Sequence, residues 1–206
     1  MTESIKSGAT PNEGDGKRIL IILGTPKSNS LCHALSDAYA HGARNEGHVV
    51  RQLRLGELAF DPVLHSGYES TQKLEPDLLE AQRQIHWAEH LLLVYPVWWG
   101  GPPALLKGFF ERVLMPGFAF KYHANSCQWD KLLSGRTADI LVTLDTPTWR
   151  IPWRFGAPAH SRITRATLYS CGIKPCRLTE FASIHTASED QRQEWLRKAE
   201  NLGAWA

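Results

Sequence analysis

The 206-residue chain contains no apolar run of the roughly 18 residues that crossing a membrane requires, and its first residues lack the apolar core of a secretory signal. Charge of one sign is also missing. There are 23 Lys and Arg against 21 Asp and Glu, a formal net charge of +2, and the basic residues are dispersed, so no nucleic-acid partner is expected. Only four cysteines occur (Cys32, Cys127, Cys171 and Cys176), with no C-x-x-C pair. Without a signal such residues read as free thiols rather than a disulfide frame, and a cytoplasmic, reducing compartment is expected. The gap from Cys171 to Cys176 fits no metal spacing. His86 and His90 have no third ligand nearby, so they read as solvated or capping residues and no metal site is expected. Neither a Walker A loop nor a G-x-G-x-x-G fingerprint is present, which argues against an ATPase and a Rossmann dinucleotide site.

What the chain does have is eight tryptophans, a high number that suits the handling of flat ligands. The stretch from Leu91 to Phe120 organises the rest. Leu91 to Tyr95 is an uninterrupted apolar run, as in a strand buried on both faces. Pro96-Val97-Trp98-Trp99-Gly100-Gly101-Pro102-Pro103 then makes a rigid aromatic loop with exposed backbone. From Ala104, residues Leu105, Leu106, Phe109, Phe110, Val113 and Leu114 fall on one helical stripe, with Pro102 or Pro103 at its start.

In chain order, residues 1–16 read as a disordered tail, followed by a single domain over 17–206. Strands are expected at Arg18–Gly24, at His48–Leu55 on a half-polar edge, at the Leu91 run, at Thr137–Leu144 and at Cys176–Ile184. Helices are expected from Leu31, over Pro76–Glu89, from Ala104, around Ile163–Ser170 with a stop at Gly172, and over Ser188–Leu202. Lys121–Gly135 reads as polar and irregular. Five strands alternating with five helices predict a doubly wound parallel sheet in three α/β/α layers. Gly24-Thr25-Pro26-Lys27-Ser28-Asn29-Ser30, lying between a central strand and a helix N-terminus, suits a phosphate cradle; plain helix capping by Ser28 or Ser30 is the alternative. The loop from Leu144 to His160 is long and rich in Trp and Arg, as functional loops are.

Pro96 to Val113 reads P-x-x-W-x-G-x-P-A-x-L-K-G-x-x-E-R-V and is followed by Gly117-Phe118-Ala119-Phe120. This resembles the core motif of the NAD(P)H:quinone oxidoreductases of flavodoxin-like fold, and Asp145-Thr146-Pro147-Thr148-Trp149 resembles the form found in a bacterial branch. The resemblance implies strand order 2-1-3-4-5, with the loops after strands 1, 3 and 4 at one switch point. It implies FMN (alternatively FAD), NAD(P)H as co-substrate, a planar acceptor such as a quinone, and a homodimer towards which Lys121–Gly135 projects. Thr25, Ser30, Leu31 and Cys32 align with the flavin phosphate loop. Pro96, Val97, Trp98, Trp99 and Gly100 align with the ring contacts, and Thr143, Leu144, Asp145, Thr146 and Trp149 with its far edge. Gly100 replaces a larger aromatic residue of the mammalian members. Asp145-Thr146 replaces their Gly-Gly turn, with no Tyr following, so their Tyr–His pair does not carry over. His160 is the one candidate catalytic side chain, as a proton donor or otherwise as a helix cap. Arg150 or Arg154 is a candidate to pair with a phosphate of the nicotinamide cofactor, which would give a preference for NADPH. Two other roles remain open, a flavodoxin-type electron carrier and an accessory flavoprotein of a membrane transporter.

Overall fold

Two apolar runs too short for buried helices lie at the centre of the molecule. In a computed structural model that describes residues 16–70, 72–123, 126–146 and 163–206, they become β1 (Arg18–Leu23) and β3 (His90–Pro96). The other elements are α1 (Leu31–Asn45), β2 (Val49–Arg54), α2 (Pro76–Trp87), α3 (Ala104–Val113), β4 (Phe120–Tyr122), β5 (Trp129–Lys131), β6 (Thr137–Leu144), α4 (Tyr169–Cys171), β7 (Cys176–Ala182) and α5 (Glu189–Ala204). A π-helical turn, Ile163–Leu168, leads into α4, and Gly172 ends it in the left-handed conformation at φ 96°. The expected tail lies, Gly16 apart, outside the described residues.

The five longer strands are all parallel, in spatial order β2-β1-β3-β6-β7. With the two short strands left out of the numbering this is the expected order. Successive residues of a strand face opposite sides, so each central strand feeds two cores. Leu20 and Ile22 pack with residues of α2 and α3, whereas Ile19, Ile21 and Leu23 pack with residues of α1 and α5. Glycines let α1 and α5 touch backbone to backbone. A Cβ on Gly42 would stand 2.0 Å from the Glu200 carbonyl oxygen, and one on Gly203 would stand 2.1 Å from that of Tyr39.

Two expectations are corrected. Lys121–Gly135 is not irregular, because β4 and β5 pair as an antiparallel hairpin. Its exposed rings meet edge to face, Tyr122 against Trp129 with centroids 6.4 Å apart, and Trp129 Nε1 donates to the Ser170 carbonyl at 2.8 Å. Nor is His90 solvated, although His86 is exposed. His90 opens β3 with 4 % of its surface exposed. Its Nδ1 lies 2.6 Å from Thr137 Oγ1 and its Nε2 lies 3.0 Å from Tyr39 Oη. Tyr39 donates to Asp139 Oδ2 at 2.8 Å, and Arg177 clasps the same carboxylate through Nε at 2.8 Å and Nη2 at 2.5 Å. Burial raises the Asp139 carboxyl pKa, but hydrogen bonds from His90, Arg177 and Tyr39 outweigh it and hold the pKa below the ordinary value. Burial, and the Asp139 charge after it, push the Tyr39 phenol far up.

Candidate functional site

Parallel strands send their following loops out of one end of the sheet, where ligands of open α/β folds bind. There the loops after β1, β3, β6 and β7 enclose a cleft of about 390 Å³. Of the residues singled out from the sequence, Thr25, Ser30, Leu31, Cys32, Pro96, Trp98, Thr143 and Asp145 line it. Val97, Trp99, Gly100, Leu144 and Thr146 do not form its wall. Trp149 and His160, with Arg150 and Arg154, lie outside the described residues. Lys27, Asn29, Ile184, His185 and Arg192 line the cleft as well. The last three come from the end of β7 and the start of α5. Their one signal in the sequence is topological, since a parallel fifth strand must also end at this face.

The first wall is the turn into α1. Lys27 N donates to Thr25 Oγ1 at 3.3 Å, and Asn29 takes φ 51°, a left-handed value that asparagine tolerates. Ser30 occupies the N-cap of α1 with extended backbone (φ −109°, ψ 165°), yet its side chain caps nothing. Among the described residues the N–H groups of Leu31 and Cys32 have no acceptor, while those of His33 and Ala34 both donate to the Ser30 carbonyl. Free donors at the positive end of a helix dipole are suited to an anion, and the exposed Lys27 adds a full charge.

Between the turn into α1 and the loop after β3 lies Cys32, buried, with Sγ 3.3 Å from Thr143 Oγ1. Burial pushes its thiol up to about 11, against the smaller opposite effect of the Thr143 hydrogen bond. At neutral pH it is a neutral packing group, unfit as a nucleophile. Val97 N donates to the Thr143 carbonyl at 2.8 Å and ties the loop after β3 to β6. Beyond it Trp98 and Gly101 exchange N–H···O bonds of 2.8 and 2.9 Å, so Trp99 and Gly100 form a two-residue turn with φ of 50° and 75°. Glycine meets that demand without strain; tryptophan does not. Trp98 is half-exposed along the cleft, and Trp99 stands wholly in solvent.

On the far side Asp145 Oδ1 accepts from His185 N at 3.0 Å, and Arg192 Nη2 donates to the Ile184 carbonyl at 2.7 Å. The cleft therefore holds two cations, Lys27 and Arg192, one carboxylate, Asp145, a tryptophan face and free backbone donors. This set can bind an anion joined to a planar group. No group of three potential metal ligands exists among the described residues.

A family model described as flavodoxin-like fold matches residues 17–202. Human ribosyldihydronicotinamide dehydrogenase (quinone) is 30% identical over 204 residues, covering 86% of this chain and 87% of that protein. NAD(P)H dehydrogenase (quinone) 1 of Cavia porcellus is 30% identical over 129 residues, covering 52% of this chain and 46% of that protein, so the chain spans about half the length of the first curated relatives it matches. A crystal structure of a Streptococcus mutans protein, 29% identical, superposes with a TM-score of 0.79 over 92% of this chain and 100% of that one.

Proposed function

The chain belongs to the flavodoxin-like fold family, with the NAD(P)H quinone oxidoreductases among its relatives, and we propose that it is a flavoenzyme whose flavin, when bound, would supply hydride transfer through N5 between NAD(P)H and a quinone or similar planar acceptor. The observation that carries this reading is the pairing, within one cleft, of unused N–H groups at the start of α1 with a tryptophan wall about one loop away. The donor set fits a flavin phosphate and ring. Leu31 N, Cys32 N, Ser30 Oγ and Lys27 would hold the phosphate. Pro96, Trp98 and the backbone of the loop after β3 would hold the ring, and Thr143 and Asp145 its polar edge. These residues bind and orient. His160 remains the candidate proton donor, and Trp149 a candidate ring contact.

FMN is the cofactor that this cradle suits most simply. FAD is the alternative: Arg192, on the far side of the cleft, is a second cation that a second phosphate could meet. The exposed rings of Tyr68, Tyr122 and Trp129 support a homodimer.

The test is the absorbance spectrum of the purified protein, followed by anaerobic NADPH. A flavin spectrum that bleaches and recovers on adding a benzoquinone is expected. A colourless protein that takes up neither FMN nor FAD refutes the cofactor; a flavin spectrum that NADPH leaves unchanged refutes the oxidoreductase and favours an electron carrier. Identifying the nucleotide released on heating decides between FMN and FAD.

A further inference from the structure

We infer that His33 is a positioning residue for the phosphate cradle, acting through Ser30; this rests on the proposed flavin-phosphate reading of the cleft. A serine at an N-cap ordinarily turns its Oγ to accept from the N–H groups two or three residues on. Ser30 has the backbone for this but makes no such bond. Its Oγ lies instead 3.0 Å from Nδ1 of His33, the third residue of the same helix. The first turn thus carries a capping box with altered roles: the side chain at the third position engages the cap side chain rather than the cap backbone.

Two consequences follow for an anion. The hydroxyl of Ser30 is drawn away from the helix N–H groups, so Cys32 N, which it would ordinarily accept from, keeps no internal acceptor and stays open to the cleft beside the equally unpaired Leu31 N. Ser30 itself lines the cleft. When Nδ1 of His33 carries a proton and donates it to Ser30 Oγ, the hydroxyl hydrogen is released to point at a ligand oxygen. Without His33 the serine is free to cap its own helix, and the cradle loses both that donor and the openness of the Cys32 N–H. His33 touches no ligand in this scheme.

Such a residue has a signature that plain packing lacks. Removing it weakens phosphate binding while the cofactor-free protein keeps its stability or gains some, because Ser30 then caps α1. FMN and riboflavin differ only in the phosphate, so the ratio of their dissociation constants isolates the cradle. The measurement is that ratio by fluorescence titration for the wild type, His33→Ala, His33→Asn, Ser30→Ala and the Ser30→Ala/His33→Ala pair, with the thermal midpoint of each apoprotein. Expected are a fall in the ratio of about tenfold for His33→Ala, recovery of much of it in His33→Asn, whose amide can donate to Ser30, and no further loss in the double variant. An unchanged ratio in His33→Ala, or losses that multiply in the double variant, overturns the inference. So does a lowered apoprotein midpoint accompanied by equal weakening of FMN and riboflavin, which marks a packing role. Equal affinity of the wild type for FMN and riboflavin is a separate failure and refutes the phosphate reading itself.

Discussion

Asp139 offers the sharpest test of the fold's energetics. Its carboxylate is 2 % exposed and receives Tyr39 Oη and the Arg177 fork. Asp139→Asn keeps the size, removes the charge and leaves the guanidinium facing a neutral amide. Breaking a buried ion pair costs about 3–5 kcal/mol. The Arg177 side chain is 45% exposed, so water rehydrates it in part, and the lower end, about 3 kcal/mol, applies. For a domain of this size about 1 kcal/mol moves the thermal midpoint by roughly 2–4 °C, which gives an expected loss of roughly 6–12 °C. The pH dependence fixes the sign. The folded pKa is depressed, so the stability it contributes is present above the unfolded aspartate value of about 3.9 and is lost as pH falls through the folded value. The gap between wild type and Asp139→Asn should therefore be widest near neutrality and should narrow as pH falls below the unfolded value and through the folded one. Flavin affinity should not change, because His90 and Thr137 open their strands while Pro96 and Thr143 meet the cleft at the other end. Urea and thermal unfolding at pH 7 and pH 3 measure this. A loss under about 2 °C at pH 7, or an equal gap at both pH values, would refute the reasoning.

Gly42→Ala should lower stability by about 1–2 kcal/mol: the clash with the Glu200 carbonyl exceeds the roughly 1 kcal/mol helix-propensity gain, and a raised midpoint would contradict it. Cys127 is exposed, whereas Cys32 is buried with its thiol pushed up to about 11; a disulfide reagent at pH 7.5 should show a fast phase that Cys127→Ser abolishes, with Cys32 reacting only on unfolding. Lys27→Ala should weaken FMN about fivefold at low ionic strength and less at high salt, with riboflavin affinity unchanged; a salt-independent loss would show that the charge is not the cause. Arg192→Ala should weaken FAD more than FMN if the cleft takes the dinucleotide, read by titration of the apoprotein with each.

The central strands were legible because double burial leaves no alternation: every residue of Leu91–Tyr95 has a core to face. The β4–β5 hairpin was not. Its strands are three residues long, and several of its side chains are exposed, so no period could develop. His90 was misread because its partners come from α1 and β6, distant in sequence, and one residue at the head of an apolar run carries no pattern of its own. In the cleft, the loop after β1 was found through its position before a helix. His185 and Arg192 needed the knowledge that β7 lies parallel beside β6. Trp99 was expected at the ring, yet its side chain stands in solvent, because the left-handed turn that raises it is fixed by backbone bonds between Trp98 and Gly101 that no spacing rule reveals.

Those two bonds also make the tip replaceable. Because Trp98 and Gly101 hold each other directly, residues 99 and 100 hang outside the hydrogen-bonded frame, and exchanging them leaves the spacing between β3 and α3 unchanged. The tip is thus a two-position cassette that can be varied as a library without disturbing the wall of the cleft. Its alphabet is limited by geometry: position 100 accepts glycine and, less well, asparagine or aspartate, and position 99 carries the diversity at a roughly constant backbone penalty. Asn-Gly across the pair would relieve the strain and give a smaller, more stable starting scaffold on which to build such a library.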